Sequence, residues 1–208
     1  MRVFLMFFFI GSLSLTAQLV TFTAEIGDST FYLLEGSKRV SKLTFYISDL
    51  QLETMDGEFL EVTAYHLIDF KDSNSLKIET GNEDKREIKS IHFKLGIDSA
   101  TNVSGAFGGV LDPTKGMYWR WQSGYINFKI EGTVQDEKYT LHLGGYSFPF
   151  KSVQQVILPV KAQSDEFIIT LPIDEIIEKL IPIDNTVMSP SLDAVSMSKS
   201  IASFFYLK

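Results

Sequence analysis

The chain has 208 residues, with 19 Lys+Arg against 26 Asp+Glu, three His, no Cys and a formal net charge of −7. The lack of cysteine removes disulfides, cysteine-type zinc sites and thiol catalysis, and an acidic chain without a basic stripe is a poor match for nucleic acid. Aromatic residues make up 13%, and 14 Gly stand against 6 Pro, a composition that suits a β-rich folded chain rather than a disordered one.

Residues 1–17 read as a secretory signal: Arg2, an apolar run over 3–10, small polar residues, then Ala17 before Gln18. The run is too short to span a bilayer, and no other segment approaches eighteen uninterrupted apolar residues. The expectation is a periplasmic or secreted protein with no membrane span and no cysteine-borne lipid anchor. Removing the signal leaves 191 residues (208 − 17), 18–208, enough for one domain with a single core. Arg2 is the leader's only charge, so the remainder carries 18 Lys+Arg against 26 Asp+Glu, or −8.

Residues 20–26 read as a first strand closed by Gly27-Asp28, with 31–34 as its hairpin partner. Over 42–52, Leu43, Phe45 and Ile47 alternate with Thr44, Tyr46 and Ser48, the pattern of a strand. After an Asp56-Gly57 turn, 63–70 places Ala64, His66, Ile68 and Phe70 on one face, so His66 sits on an apolar side. Residues 71–86 are polar and read as an exposed loop or hairpin, with a short strand at 76–78. Residues 88–97 resume alternation, with Ile91, Phe93 and Leu95 inward and Ser90, His92 and Lys94 in solvent. A long irregular connection over 100–115 leads through Asp112-Pro113 into GMYWRWQSGYINFKIEG, 116–132.

In an extended chain Trp119 and Trp121 share a face, with Arg120 opposite. Residues 125–131 alternate as a half-buried strand does, with Ile126, Phe128 and Ile130 on one side. Residues 139–143 repeat the pattern: Tyr139, Leu141 and Leu143 point inward and Thr140 and His142 away, before Gly144-Gly145. Strands follow at 153–160, an edge because of Pro159, and at 167–171. Helical spacing comes last. Asp174 is placed to cap a short helix with an Ile173, Ile176, Ile177, Leu180 stripe; Ser189, with Pro190 at the first position, precedes Ala194, Met197, Ile201 and Phe204. The expected fold is mainly β: a single β-sandwich-like domain of antiparallel strands with one or two short C-terminal helices.

Catalytic motifs are sparse. Gly27-Asp28-Ser29 follows a strand as the nucleophile motif of secreted serine esterases does, but no histidine follows His142 to serve as a C-terminal base, and the turn reading prevails. The glycine-rich 104–110 lacks the Lys-Ser/Thr of a phosphate loop, and Asn102-Val103-Ser104 is a glycosylation sequon in a host that glycosylates. The three histidines show no metal-site spacing; His66 reads as a satisfied core histidine, and His142 as a surface or loop-edge residue. With no nucleophile–base pair, the chain is not expected to be an enzyme.

The ordered stretches KLTFYISDLQL (42–52), YHLID (65–69), IHFKLGID (91–98), LDPTKGMYWRWQSGYINFKIEG (111–132), LHLGG (141–145), ITLPID (169–174) and VMSP (187–190) together resemble the MbnP-like family, periplasmic copper-binding proteins associated with methanobactin and copper handling. The 116–132 block is the most specific part. The resemblance implies an exported, non-catalytic copper-binding β-sandwich for copper acquisition, storage or delivery. It also implies that copper is held by histidine nitrogens together with kynurenine, an oxidised tryptophan made by a dihaem partner. Carried onto this chain, His142 and His66 are the metal-ligand candidates, Trp119 or Trp121 the candidate for oxidation, and Met117 a soft thioether suited to copper(I). Strand 20–26 holds no histidine, where copper-binding members would be expected to supply a third ligand. The alternative is a secreted, metal-free binding module in which Trp119, Trp121, Tyr118 and Tyr125 form an aromatic platform for a glycan or protein partner.

Overall fold

The computed structural model describes residues 18–27, 29–30, 40–82, 85–122 and 124–208. In chain order, β1 (Leu19–Ile26), β2 (Ser29–Thr30), β3 (Lys42–Thr54), β4 (Phe59–Asp69), β5 (Lys77–Glu79) and β6 (Ile88–Leu95) precede a short helix, α1 (Ser99–Val103). There follow β7 (Tyr118–Trp119), β8 (Gly124–Val134), β9 (Glu137–Gly144), β10 (Gln154–Pro159), β11 (Glu166–Pro172), α2 (Ile173–Lys179), β12 (Thr186–Val187), α3 (Leu192–Phe204) and β13 (Tyr206–Leu207). The call of a strand at 31–34 lies outside the described residues.

The strands form two sheets. The larger is organised on β3: β4 runs along one edge, while the other edge is shared, β8 pairing with residues 42–45 and β6 with 47–54. One extra residue of β3 against β6 makes a bulge around Asp49, whose φ is 50°, where the strand passes from one neighbour to the other. β9 pairs with β8, and β10 with β6. In the smaller sheet β1 is central, with β11 on one side and β2 and β5 on the other. The antiparallel expectation holds for most pairs, but β1 runs parallel to β11, and β12 parallel to β9.

The main core lies between the sheets and under α2 and α3. Phe22, Phe45, Phe93 and Phe205 meet edge to face with centroids 5.5–6.0 Å apart, and Phe128 stacks on Phe45 at 5.7 Å. Such geometry adds to the burial itself. A second cluster occupies the opposite face of the larger sheet: Tyr46, Leu67, Ile97, Leu111, Met117, Trp119, Tyr125 and Ile126. The half-buried reading of 125–131 is thereby corrected, because these residues and most of β3 are covered on both faces. β8 also carries an extra residue at Asn127 relative to β9. That bulge sends Ile126 to the second cluster, while Phe128 and Ile130 enter the main core.

Both caps differ from expectation. Pro172 holds the N-cap position of α2, and Asp174 instead accepts from the Gly27 N–H. α3 is capped by Ser191, whose Oγ accepts from the Ala194 N–H at 3.0 Å, two residues beyond the Ser189 reading. No described helix is long and apolar enough to cross a membrane. The described core residues fall within 20–205.

Candidate functional site

On β9, Tyr139, Leu141 and Leu143 enter the main core, so His142 and Gly144 point to the opposite face. His142 is only 8% exposed, and its Nε2 lies 2.7 Å from Oε1 of Glu131. With Nε2–H donated to the carboxylate, Nδ1 carries the lone pair, the second-sphere arrangement common among metal-binding histidines. Burial pushes the imidazole's pKa down, reinforced by Lys129 and Lys42 and opposed by the Glu131 bond. The net direction favours the neutral, coordinating form.

Directly across from His142, Lys129 is itself buried, which lowers its pKa, and its Nζ donates to the Gly116 carbonyl at 2.5 Å. This bond fastens the turn at Gly116, where φ is 75°, onto β8 just ahead of Met117. The Met117 carbonyl accepts from Ile126 N–H at 3.0 Å, and Trp119 pairs with Gly124. Met117 and Trp119 thus share the face of Gly144 and His142. The six-membered ring of the Trp119 indole reaches the strand: a Cβ on Gly144 would stand 2.6 Å from it. His142 is two residues away on the same side of β9, about 7 Å from Cα to Cα. Imidazole and indole occupy neighbouring positions on one strand.

The tryptophans stay adjacent, with centroids 6.0 Å apart and planes at 47°, but their environments diverge. Trp119 is 6% exposed and Trp121 67%. Trp121 sits in the turn before β8, not on a strand, so period-two alternation does not apply to it. The aromatic platform is not formed, because Tyr125 is buried and Tyr118 meets it edge-on at 5.0 Å.

His66 does not join His142. It pairs with Ile47, so it faces the main core, and its Nε2 lies 2.8 Å from the Ser75 carbonyl. The row through His142 runs by way of Lys129 and Thr44 to Asp69, three residues from His66 on β4. Three strand spacings and three residues of rise put the two histidines roughly 17 Å apart, on opposite faces. Nitrogens that share a metal lie about 2 Å from it. The expected pairing of His142 with His66 at one metal is therefore corrected: the two cannot share an ion. Among the described residues no group of three or more His, Cys, Asp or Glu is placed to hold a metal. The side chains with donor atoms on the face around His142 are His142 itself and Glu131, which bond each other, and the buried Met117.

His92, expected in solvent, packs edge-on against Phe59 at 5.2 Å, with Ser90 Oγ 2.7 Å and Glu53 Oε2 3.3 Å from its Nε2. Both partners address one ring nitrogen, whereas a Ser-His-acid triad uses both. Asn102 is buried, with its amide nitrogen donating to the Ile97 and Asp98 carbonyls, so the sequon is closed in the folded protein. Sequence reasoning missed Glu131 and Lys129 as neighbours of His142. Their signal was the 131–142 hairpin itself, whose register sets 129 against 142.

The sequence model of the MbnP family matches residues 12–194. Among solved structures, MbnP from Methylosinus trichosporium is similar, with a TM-score of 0.50 and 13% identity over 77% of this chain and 77% of that one. At that identity the likeness concerns the fold. No curated protein matches the chain.

Proposed function

The chain belongs to the MbnP family, and on that premise we propose that it is an exported, non-catalytic copper-handling protein for acquisition, storage or delivery of the metal. Copper(I) is its cargo, taken at the His142 face with Met117 as the soft second donor. Trp119, rather than exposed Trp121, is the tryptophan that a dihaem partner oxidises. Opening its indole gives an aromatic amine and a carbonyl able to coordinate where intact indole cannot.

The observation that supports this most is the packing of Trp119 over Gly144 on the face that bears His142. A neutral imidazole whose Nε2 is engaged by Glu131, on the sheet face that also buries the Met117 thioether, offers donors suited to a soft monovalent ion. The test is anaerobic copper(I) titration of the processed chain, 18–208, against a competing chelator. The wild type takes up one copper, His142→Ala loses it, and His66→Ala retains it. A wild type that leaves all the copper with the chelator overturns the proposal.

A further inference from the structure

Of the Lys, Arg, Asp and Glu residues among those described, Lys129 alone is buried. It makes no ion pair: its one hydrogen bond runs from Nζ to the Gly116 carbonyl, at 2.5 Å. Burying an ammonium without a carboxylate partner is costly. A neutral donor such as a glutamine amide serves a carbonyl without that cost, so fastening the turn at Gly116 does not by itself explain the charge.

Its position does. In the β8–β9 ladder Lys129 stands directly across from His142 on the same face, with Cβ atoms about 5 Å apart. The carbonyl it holds belongs to the residue before Met117. Other charges lie on this face or at its rim: Glu131 on β8, Lys42 on β3, Asp69 on β4 beyond Thr44, Lys138 on β9 and Lys115 in the turn. Each of these is half-buried or exposed, so solvent screens it, and Glu131 is engaged by His142 Nε2. The Lys129 ammonium therefore acts on an ion at His142 through protein rather than through water, where a charge is felt more strongly.

A fixed positive charge repels copper(II) twice as strongly as copper(I), because the energy scales with the charge of the ion. Resting on the copper reading above, we propose that Lys129 sets the oxidation state of the cargo, favouring copper(I) over copper(II) on His142. The couple moves one electron and no atom: copper(II) takes an electron from an outside donor and becomes copper(I) on the same ligands. With Nζ and the ion roughly 5–10 Å apart and an effective dielectric near 20, the ammonium raises the ratio of copper(I) to copper(II) affinity by roughly tenfold to a hundredfold.

The test is a mediated redox titration of the copper-loaded processed chain, 18–208, followed by the copper(II) electron paramagnetic resonance signal. Lys129→Gln and Lys129→Arg are run beside the wild type. Lys129→Gln lowers the affinity ratio by that factor, a fall in midpoint potential of about 60–120 mV at 59 mV per tenfold. Lys129→Arg, which keeps the charge, stays near the wild type. Lys129→Leu, suited to a buried position, takes the place of Lys129→Gln if that variant does not fold. A neutral variant that changes the ratio less than twofold, one that has lost both ions, or a Lys129→Arg variant lowered as far as Lys129→Gln overturns the proposal and leaves Lys129 as a fastener of the Gly116 turn. A wild type that takes up no copper(I) overturns the copper reading and this inference with it, whereas an unchanged ratio with copper bound overturns this inference alone.

Discussion

Gly144→Ala probes the contact that builds the candidate site. The new methyl would stand 2.6 and 2.8 Å from the Trp119 indole and 2.7 Å from the Tyr125 carbonyl oxygen, all inside normal carbon contact distances. The carbonyl belongs to the neighbouring strand, so the indole must give way. Overpacking of this kind costs about 1–3 kcal/mol, which for a domain of this size lowers Tm by roughly 2–12 °C. Urea unfolding followed by far-UV circular dichroism reads the loss as a lower midpoint with an unchanged slope. Trp119→Phe removes the indole atoms that clash, so adding Gly144→Ala to that background costs about 1 kcal/mol less than in the wild type. A Gly144→Ala midpoint within about 0.5 kcal/mol of the wild type, a typical neutral surface change, would refute the packing of Trp119 on β9.

Asn127→Ala strands the buried Ile97 N–H, which donates to Asn127 Oδ1 at 2.9 Å, and removes the amide donor to the Ser152 hydroxyl, which keeps its bond to the Gly145 carbonyl; the cost is about 1–3 kcal/mol by chemical denaturation. His66→Ala removes the bond to the Ser75 carbonyl, lowering stability by about 1 kcal/mol while copper uptake is unchanged. Glu53 is held down to about 2 from 4.5 by Lys89 first, then Ser90 and His92. The unfolded chain therefore binds this proton first as pH falls. The stability that Glu53 contributes is complete above 4.5 and is lost between there and about 2. Glu53→Gln flattens that limb of the urea midpoint against pH, and an unaltered limb counts against the Lys89 and Ser90 contacts.

Period-two alternation was enough to assign the inward faces of β6, β9 and β11, because each has one face on the main core and its apolar residues are in strict register. It failed on β8 for two physical reasons. A connection with no periodicity of its own supplies Leu111, Met117 and Trp119 as a cover for the second face, and the Asn127 bulge inverts the alternation part-way along the strand. The separation of the histidines was half legible. Alternation puts His66 beside Ile68 and Phe70, and His142 opposite Leu141 and Leu143. Only the strand order, with β3 and β8 between β4 and β9, turns those two local facts into opposite faces of one sheet. Lys129 and Glu131 carry no periodic signal of their own: Lys129 gains its role from the turn at Gly116, whose carbonyl it holds, and Glu131 from the hairpin partner His142.

The proposed single-histidine copper site is tested most directly by copper K-edge absorption on the chain after copper(I) loading, since the outer-shell pattern counts imidazoles and the first shell distinguishes sulfur from nitrogen. The account predicts one imidazole and one sulfur scatterer, both lost together in His142→Ala. Two or more imidazoles, or a first shell without sulfur, would contradict it.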